Sequence, residues 1–200
     1  MPESNKLNVK LNTKDLILNA ARELFYKKGF ETTTFADIAK KVGISQPSIY
    51  AHYDNKMDLL KFVCLTSIDI TRSYIDSRVN PNEKAVIKLK SYLYANLDFF
   101  RNEKIHAHAN LAFYFFSSTY PEMIDVFHES QSKAFLRLSA IVFQAGHEGL
   151  LDLAQAESVS HSLHSMLIGE CYKAVYAKND IEFKKIKIRI WNFVESKILT

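Results

Sequence analysis

The stretch VGISQPSIYAHYDNK, residues 42–56, decides the fold. Gly43, Ser45 and Pro47 stand at alternate positions, and Tyr50, His52, Tyr53 and Lys56 follow them closely. Glycine ends a helix well in a left-handed conformation, and serine caps the start of the next. Proline belongs in a first helical turn, where its missing N–H has no partner to lose. One helix therefore stops at Gly43 and another starts after Ser45. The apolar positions Ile38, Ala39, Val42, Ile44 and Ile49 form the inward set, and small Ala39 lets the two helices cross closely. Two helices joined by a tight glycine turn, apolar inside and polar at the second helix's start, make a helix-turn-helix.

Upstream, Thr13 is expected to cap a first helix carrying Leu16, Ile17, Ala20, Ala21, Leu24 and Phe25 on one face, with Gly29 as its left-handed end. Thr34 with Asp37 three residues on has the form of a capping box for the second helix. Asn55 and Asp58 start a fourth helix that runs towards Ile75. The cluster VNPNE, residues 79–83, breaks the chain, and periodic patterns predict further helices near 83–101, 105–117, 121–145, 154–177 and 181–199. No alternating β pattern competes. The fold class is therefore all-α, about nine helices. A flexible arm over 1–12 precedes a three-helix domain over 13–56 and a larger helical domain over 57–200.

The chemistry of the third helix points to DNA. Glutamine pairs bidentately with adenine and serine donates or accepts, so Gln46 and Ser48 are candidate base readers. Tyrosine, histidine and lysine tips beside a helix end suit phosphates, which position a protein without reading sequence. The ordered set from Ile17 to Leu60 resembles the DNA-binding domain of the TetR family of bacterial transcriptional regulators. It comprises Ala20, Ala21, Leu24 and Phe25, the Gly29 break, the threonines at 32–34, IAKKVGIS at 38–45, Tyr50, His52, Tyr53 and Lys56. Proline at 47 departs from the small or flexible residue frequent there, and Tyr53 stands where phenylalanine is commoner. The resemblance places Tyr50 and Lys56 at phosphate-contacting positions. The candidate DNA-contacting set is Thr33, Thr34, Ser45, Gln46, Pro47, Ser48, Tyr50, His52, Tyr53 and Lys56, with His52 and Tyr53 equally able to pack against the fourth helix.

The resemblance further implies a double-stranded operator of palindromic form, a homodimer through the last two helices, and a small-molecule effector held by the second domain. Leu163, Met166, Leu167, Tyr172, Val175, Ile186, Ile190, Phe193 and Val194 offer apolar surface for such a seam. The run ANLAFYFFSSTYPEM, 109–123, spreads its aromatics round a helix, which predicts burial nearly all round. Tyr92, Phe99, Phe113, Phe116, Tyr120, Met123 and Phe127 either fill a plain core or line a pocket for an apolar or aromatic compound.

Composition bounds the rest. A net charge of +4, from 26 basic and 22 acidic residues, is compatible with a polyanionic partner without demanding one. Cys64 and Cys171 form no CxxC unit and read as buried inert thiols. His161 and His164 share a helix face, but no carboxylate or cysteine completes a metal set, so no metal and no cofactor are expected. Lys184, Lys185, Lys187 and Arg189 read as a solvated face. No apolar run approaches a membrane span and no signal segment is evident, which predicts a cytoplasmic protein. The rival reading is an all-helical small-molecule carrier or enzyme without DNA binding. Neither a nucleophile elbow, a glycine-rich phosphate loop nor a paired-acid motif supports it.

Overall fold

The computed structural model describes residues 12–199, so the expected arm lies outside the described residues apart from Asn12. Among the described residues the chain is all-helical: α1 (Thr13–Lys28), α2 (Phe35–Val42), α3 (Gln46–Tyr50), α4 (Lys56–Asp76), α5 (Ala85–Asn102), α6 (Lys104–Thr119), α7 (Ile124–His147), α8 (Ala156–Tyr176) and α9 (Asp180–Ile198). Short 3-10 turns, Pro121–Met123 and Leu153–Gln155, lead into α7 and α8. The chain divides into two compact units, one up to Val63 and one from Cys64.

Local chemistry accounts for the ends of the helices in the first unit. The cap of α1 is Asn12, whose side chain accepts from the Asp15 N–H, and Thr13 is already helical. An asparagine amide oxygen there does the work expected of the Thr13 hydroxyl. The capping box at Thr34 and Asp37 is complete, with both reciprocal bonds made. Asn55 Oδ1 accepts from the Asp58 N–H at 2.8 Å and so opens α4.

The two glycine ends differ. Gly43 adopts the left-handed helical conformation, φ 78° and ψ 34°. Gly29 instead combines φ 86° with ψ 158°, a region essentially closed to side-chain-bearing residues. In both places an added Cβ would meet no close atom, the nearest being Thr32 Oγ1 at 3.9 Å from position 29.

In the second unit, α5, α7, α8 and α9 bury one continuous core that includes Leu89, Leu93, Leu97, Leu138, Val142, Leu163, Ile190 and Val194. Buried charge accompanies it. Glu170 of α8 is 3% exposed and accepts from Arg189 Nε and Nη2 of α9 at 3.1 and 2.6 Å, and from Lys173 at 2.8 Å. Lys187 pairs with Asp98 of α5 at 2.6 Å. The basic cluster of α9 is thus only half a solvated face, because Lys187 and Arg189 are spent on ion pairs to neighbouring helices. A tie of this kind fixes which face of α9 turns inward.

The aromatic run of α6 is not buried all round. Phe113 is buried while Phe115 is 66% exposed, and Tyr114 and Phe116 are half-buried. The helix packs through a narrow stripe of Ala107, Phe113 and Ser117. Phe115, Ser118 and Thr119 on its outer side stay exposed, so the aromatic density of the sequence overstated its burial. Both cysteines are free and buried. No described helix is long and apolar enough to cross a membrane.

Two consequences are measurable. Gly29→Ala should destabilise the first unit by about 1–3 kcal/mol and Gly43→Ala by about 1–2 kcal/mol, all of it backbone strain, in denaturant unfolding. A neutral Gly29→Ala would contradict the positive φ found there. For Glu170, burial pushes the carboxyl up, but the hydrogen bonds from Arg189 and Lys173 outweigh it and hold the pKa below the usual 4.5. The folded state therefore gains from its ionisation above the unfolded pKa, and the gain disappears as pH falls below about 4.5. Glu170→Gln should cost about 1–2 kcal/mol at pH 7. Its unfolding midpoint should approach the parent's as the pH is taken down from about 4.5.

Candidate nucleic-acid interface and internal cavity

The third helix is only five residues long and depends on its surroundings. Ser45 caps it through its side chain, and its hydroxyl lies 2.7 Å from that of Ser48. Pro47 occupies the first turn. Ile49 is fully buried and anchors α3 against Ile38 and Ala39, which are also buried, while Val42 and Ile44 are half-buried at the rim. Tyr50 stands edge-on to Phe35 at 5.0 Å and remains exposed. Ser45, Gln46, Pro47, Tyr50 and His52 are all exposed, and Ser48 is half-buried with its hydroxyl turned to Ser45. A short helix and the turn after it therefore expose an amide and hydroxyls at its start and a phenol and an imidazole at and beyond its end.

Four members of the expected DNA-contacting set have other work. Thr33 is fully buried and its hydroxyl donates to the Gly29 carbonyl at 2.7 Å, so it closes the turn between α1 and α2. Thr34 is exposed, but its hydroxyl belongs to the capping box. There Lys28 at 2.9 Å, with the Thr34 N–H and hydroxyl, holds the Asp37 carboxyl down at about 2. Lys56 donates from Nζ to the carbonyls of Phe30 and Glu31, both at 2.9 Å, and lies 4.5 Å from the centre of the Phe30 ring. Its ammonium thus straps the α1–α2 turn to the start of α4. Tyr53 is 1% exposed and packs edge-on to Phe62 at 5.6 Å. Its hydroxyl is buried with no hydrogen-bond partner among the described residues, and burial pushes its pKa well up. Spacing alone cannot separate these two from surface residues, because both lie within one turn of exposed neighbours.

The second unit contains a partly open cavity of about 140 Å³. Five helices line it: Ile68, Thr71, Arg72 and Ile75 from α4, Tyr92, Asn96 and Phe100 from α5, and Asn110, Leu111, Phe113 and Tyr114 from α6. Ser130, Gln131, Ala134 and Arg137 come from α7, and His164, Leu167, Ile168 and Cys171 from α8. Of the seven aromatic and Met residues expected, Tyr92 and Phe113 line it. Phe99 and Met123 are fully buried away from it. Phe127 stands behind the lining, against Phe113 at 5.5 Å and Tyr114 at 4.8 Å. Phe116 and Tyr120 pack on each other at 5.7 Å outside it. The stripe of α6 that lines it is 110, 111, 113 and 114, in which 110, 113 and 114 form an i, i+3, i+4 set and Phe116 has no place.

The polar members form ordered pairs. Tyr114 donates to Gln131 Oε1 at 2.6 Å, and the Thr71 hydroxyl donates to the Ser67 carbonyl at 2.8 Å. Asn110 Nδ2 donates to Thr71 Oγ1 at 2.7 Å, while Asn110 Oδ1 is buried without a partner among the described residues. Arg137 is ion-paired with Asp76. Desolvation, and secondarily His161, lowers the His164 pKa, and burial raises that of Cys171. His161 and His164 clasp Phe135, at 4.3 and 5.7 Å, rather than a common point. No group of three or more metal-binding side chains gathers among the described residues.

The seam expected from α8 and α9 needs correction in the same way. Leu163, Leu167, Val175, Ile186, Ile190 and Val194 are buried inside this chain's own core. Of that set Tyr172 is exposed and Met166 and Phe193 are half-exposed, joined on the outer surface by Tyr176 and Ile188.

Lys56→Ala should lower the stability of the first unit by about 1–2 kcal/mol through two carbonyls left without their donor. Tyr53→Phe should leave stability unchanged or raise it by up to about 1 kcal/mol, and leave DNA retention intact, because it deletes a buried unpaired hydroxyl. A large loss of DNA affinity with unchanged stability in Tyr53→Phe would restore Tyr53 to the interface.

Residues 17–63 match the model of the bacterial regulatory proteins of the tetR family. The chain is 36% identical over 74 residues to the HTH-type transcriptional regulator TtgR of Pseudomonas putida, covering 37% of this chain and 34% of that protein. It is 46% identical over 48 residues to the biofilm operon negative transcriptional regulator IcaR of Staphylococcus epidermidis, covering 24% and 26%. The matched stretch thus spans about a third or less of these relatives. The fold extends further: a TetR transcription regulator from Haloarcula marismortui superposes with a TM-score of 0.81 at 19% identity, covering 92% of this chain and 97% of that one. A protein from Saccharomonospora viridis solved in complex with choline gives 0.83 at 16% identity, covering 94% and 97%. Residues 17–63 are thus similar to the DNA-binding domain of the tetR family of bacterial regulatory proteins, and over the rest of the chain the likeness is one of fold.

Proposed function

We propose that the protein is a transcriptional repressor that binds a palindromic operator as a homodimer and is released by a small-molecule effector. The observation that carries this reading is the exposed start of α3, with Gln46 at its tip and Ile49 locked into the core behind it. Gln46 is the base reader, and Tyr50 and His52 contact phosphates beside it. Ser45 and Ser48 shape the helix start, and Ser48 reaches a base if its hydroxyl leaves Ser45. Two such helices read successive major grooves about 34 Å apart, which requires a two-fold pair of subunits. Tyr172, Tyr176 and Ile188, exposed on α8 and α9, supply apolar surface for that pair, with Met166 and Phe193 partly buried beside them. The repressor role follows the negative regulator among the relatives.

The effector site is the five-helix cavity. An effector regulates only if it prefers one of two dimer states, and a tenfold change in operator affinity corresponds to about 1.4 kcal/mol of differential binding.

The purified protein, offered random duplex DNA in repeated rounds of selection, should retain sites with dyad symmetry and lose affinity steeply as salt rises. Gln46→Ala should relax the preference at one base pair in each half-site, at about 1–3 kcal/mol. Sedimentation should give a dimer. A monomer, or retention insensitive to both sequence and salt, would point instead to an all-helical carrier.

A further inference from the structure

The chemistry of the effector cavity is one-sided. Its ionisable lining includes Arg72 and Arg137, and no Asp or Glu lines it among the described residues. His164 and Cys171 carry no charge there near neutral pH, since burial lowers the one pKa and raises the other. Each guanidinium has a counter-ion outside the lining, on its solvent side. Asp69 for Arg72 and Asp76 for Arg137 are 61% and 56% exposed in their side chains, so water and salt weaken their hold. A guanidinium carries five N–H donors in a planar fork, and Asp76 engages Arg137 through Nη2.

A second observation is independent of charge. Because the Thr71 hydroxyl proton goes to the Ser67 carbonyl, Thr71 Oγ1 can only accept from Asn110, which fixes the amide with Nδ2 towards Thr71. Asn110 Oδ1 is then a buried acceptor without a donor, an arrangement that costs free energy until a donor arrives. The remaining walls are apolar or aromatic: Tyr92, Phe100, Phe113, Leu167 and Ile168. At about 140 Å³ the space is close to that of an engineered cavity of about 150 Å³ known to admit benzene.

We propose that this cavity takes a small aromatic monocarboxylate bearing a ring hydroxyl, its carboxylate on the Arg137 guanidinium and its hydroxyl donating to Asn110 Oδ1. The assignment rests on reading the cavity as the effector site. Aromatic walls by themselves would also suit a quaternary ammonium ion. The Arg137 guanidinium, with Arg72 beside it, repels one, and the solvent-exposed carboxylates of Asp76 and Asp69 offset that repulsion only in part. The choline bound by the Saccharomonospora viridis protein is therefore the wrong charge for this chain.

The experiment is calorimetry and thermal unfolding of the full chain with 3-hydroxybenzoate, 4-hydroxybenzoate, benzoate and choline. At least one hydroxybenzoate should raise the unfolding midpoint and bind about tenfold more tightly than benzoate, and choline should do neither. Arg137→Gln should weaken every carboxylate at least tenfold, with Arg137→Lys recovering part of the loss. Asn110→Leu should abolish the advantage of the hydroxyl while sparing benzoate. Choline binding more tightly than the carboxylates, no carboxylate binding at all, or a hydroxyl advantage that survives Asn110→Leu would each overturn the assignment. DNA retention measured on the same preparations separates the two readings. Retention without carboxylate binding removes only the ligand class, and carboxylate binding without retention removes only the repressor.

Discussion

A helix of five residues cannot hold itself together in water, because nucleation fixes several backbone torsions before any hydrogen bond is gained. Everything proposed for the first unit depends on overcoming that constraint for α3. Ser45 accepts from the Ser48 N–H, Pro47 removes another free N–H, and Ile49 buries the inner face of α3 together with Ile38 and Ala39 of α2. Around it the capping box at Thr34, the Thr33 bond to Gly29 and the Lys56 strap across Phe30 and Glu31 hold the neighbouring turns. Several threonine, tyrosine and lysine side chains that look like DNA contacts are thus occupied in keeping a short helix in place. On the proposed reading the residues left to meet DNA are fewer: Gln46, Tyr50 and His52, with the serines beside them.

The second unit works under the opposite constraint. Its helices are long and its core is continuous, so stability is not in question locally, and the cavity can carry polar groups that a packed core would reject. Burying the Asn110 amide oxygen without a donor is unfavourable. On the proposed reading that cost makes the lining selective, since a ligand that donates to Asn110 Oδ1 relieves it. Glu170 shows the settled version of the problem: a buried carboxylate whose acceptor capacity is met by Arg189 and Lys173, and which therefore serves packing rather than binding.

Most of the fold was legible in the sequence because its signals are short-range. Thr34 with Asp37, Ser45 with Ser48, Asn55 with Asp58, and Gly43 at φ 78° act within four residues of chain, so type and spacing identify them. Misreadings at this range were small. Asn12 rather than Thr13 caps α1, and Gly29 takes an extended positive-φ conformation rather than the left-handed helical one.

What only the tertiary structure decided is which face each side chain shows. Tyr53 and Lys56 sit among exposed neighbours in sequence, yet one is buried against Phe62 and the other reaches back 26 residues to Phe30. Phe113 and Phe115 are two residues apart, one enclosed and one open to solvent. The cavity draws its lining from five helices spread between residues 68 and 171, so no window of sequence contains it. The sequence by itself determined where helices start and stop, since capping and periodicity are local. The partners across helices were decided by packing, in which a one-residue rotation of about 100° exchanges a core position for a surface one.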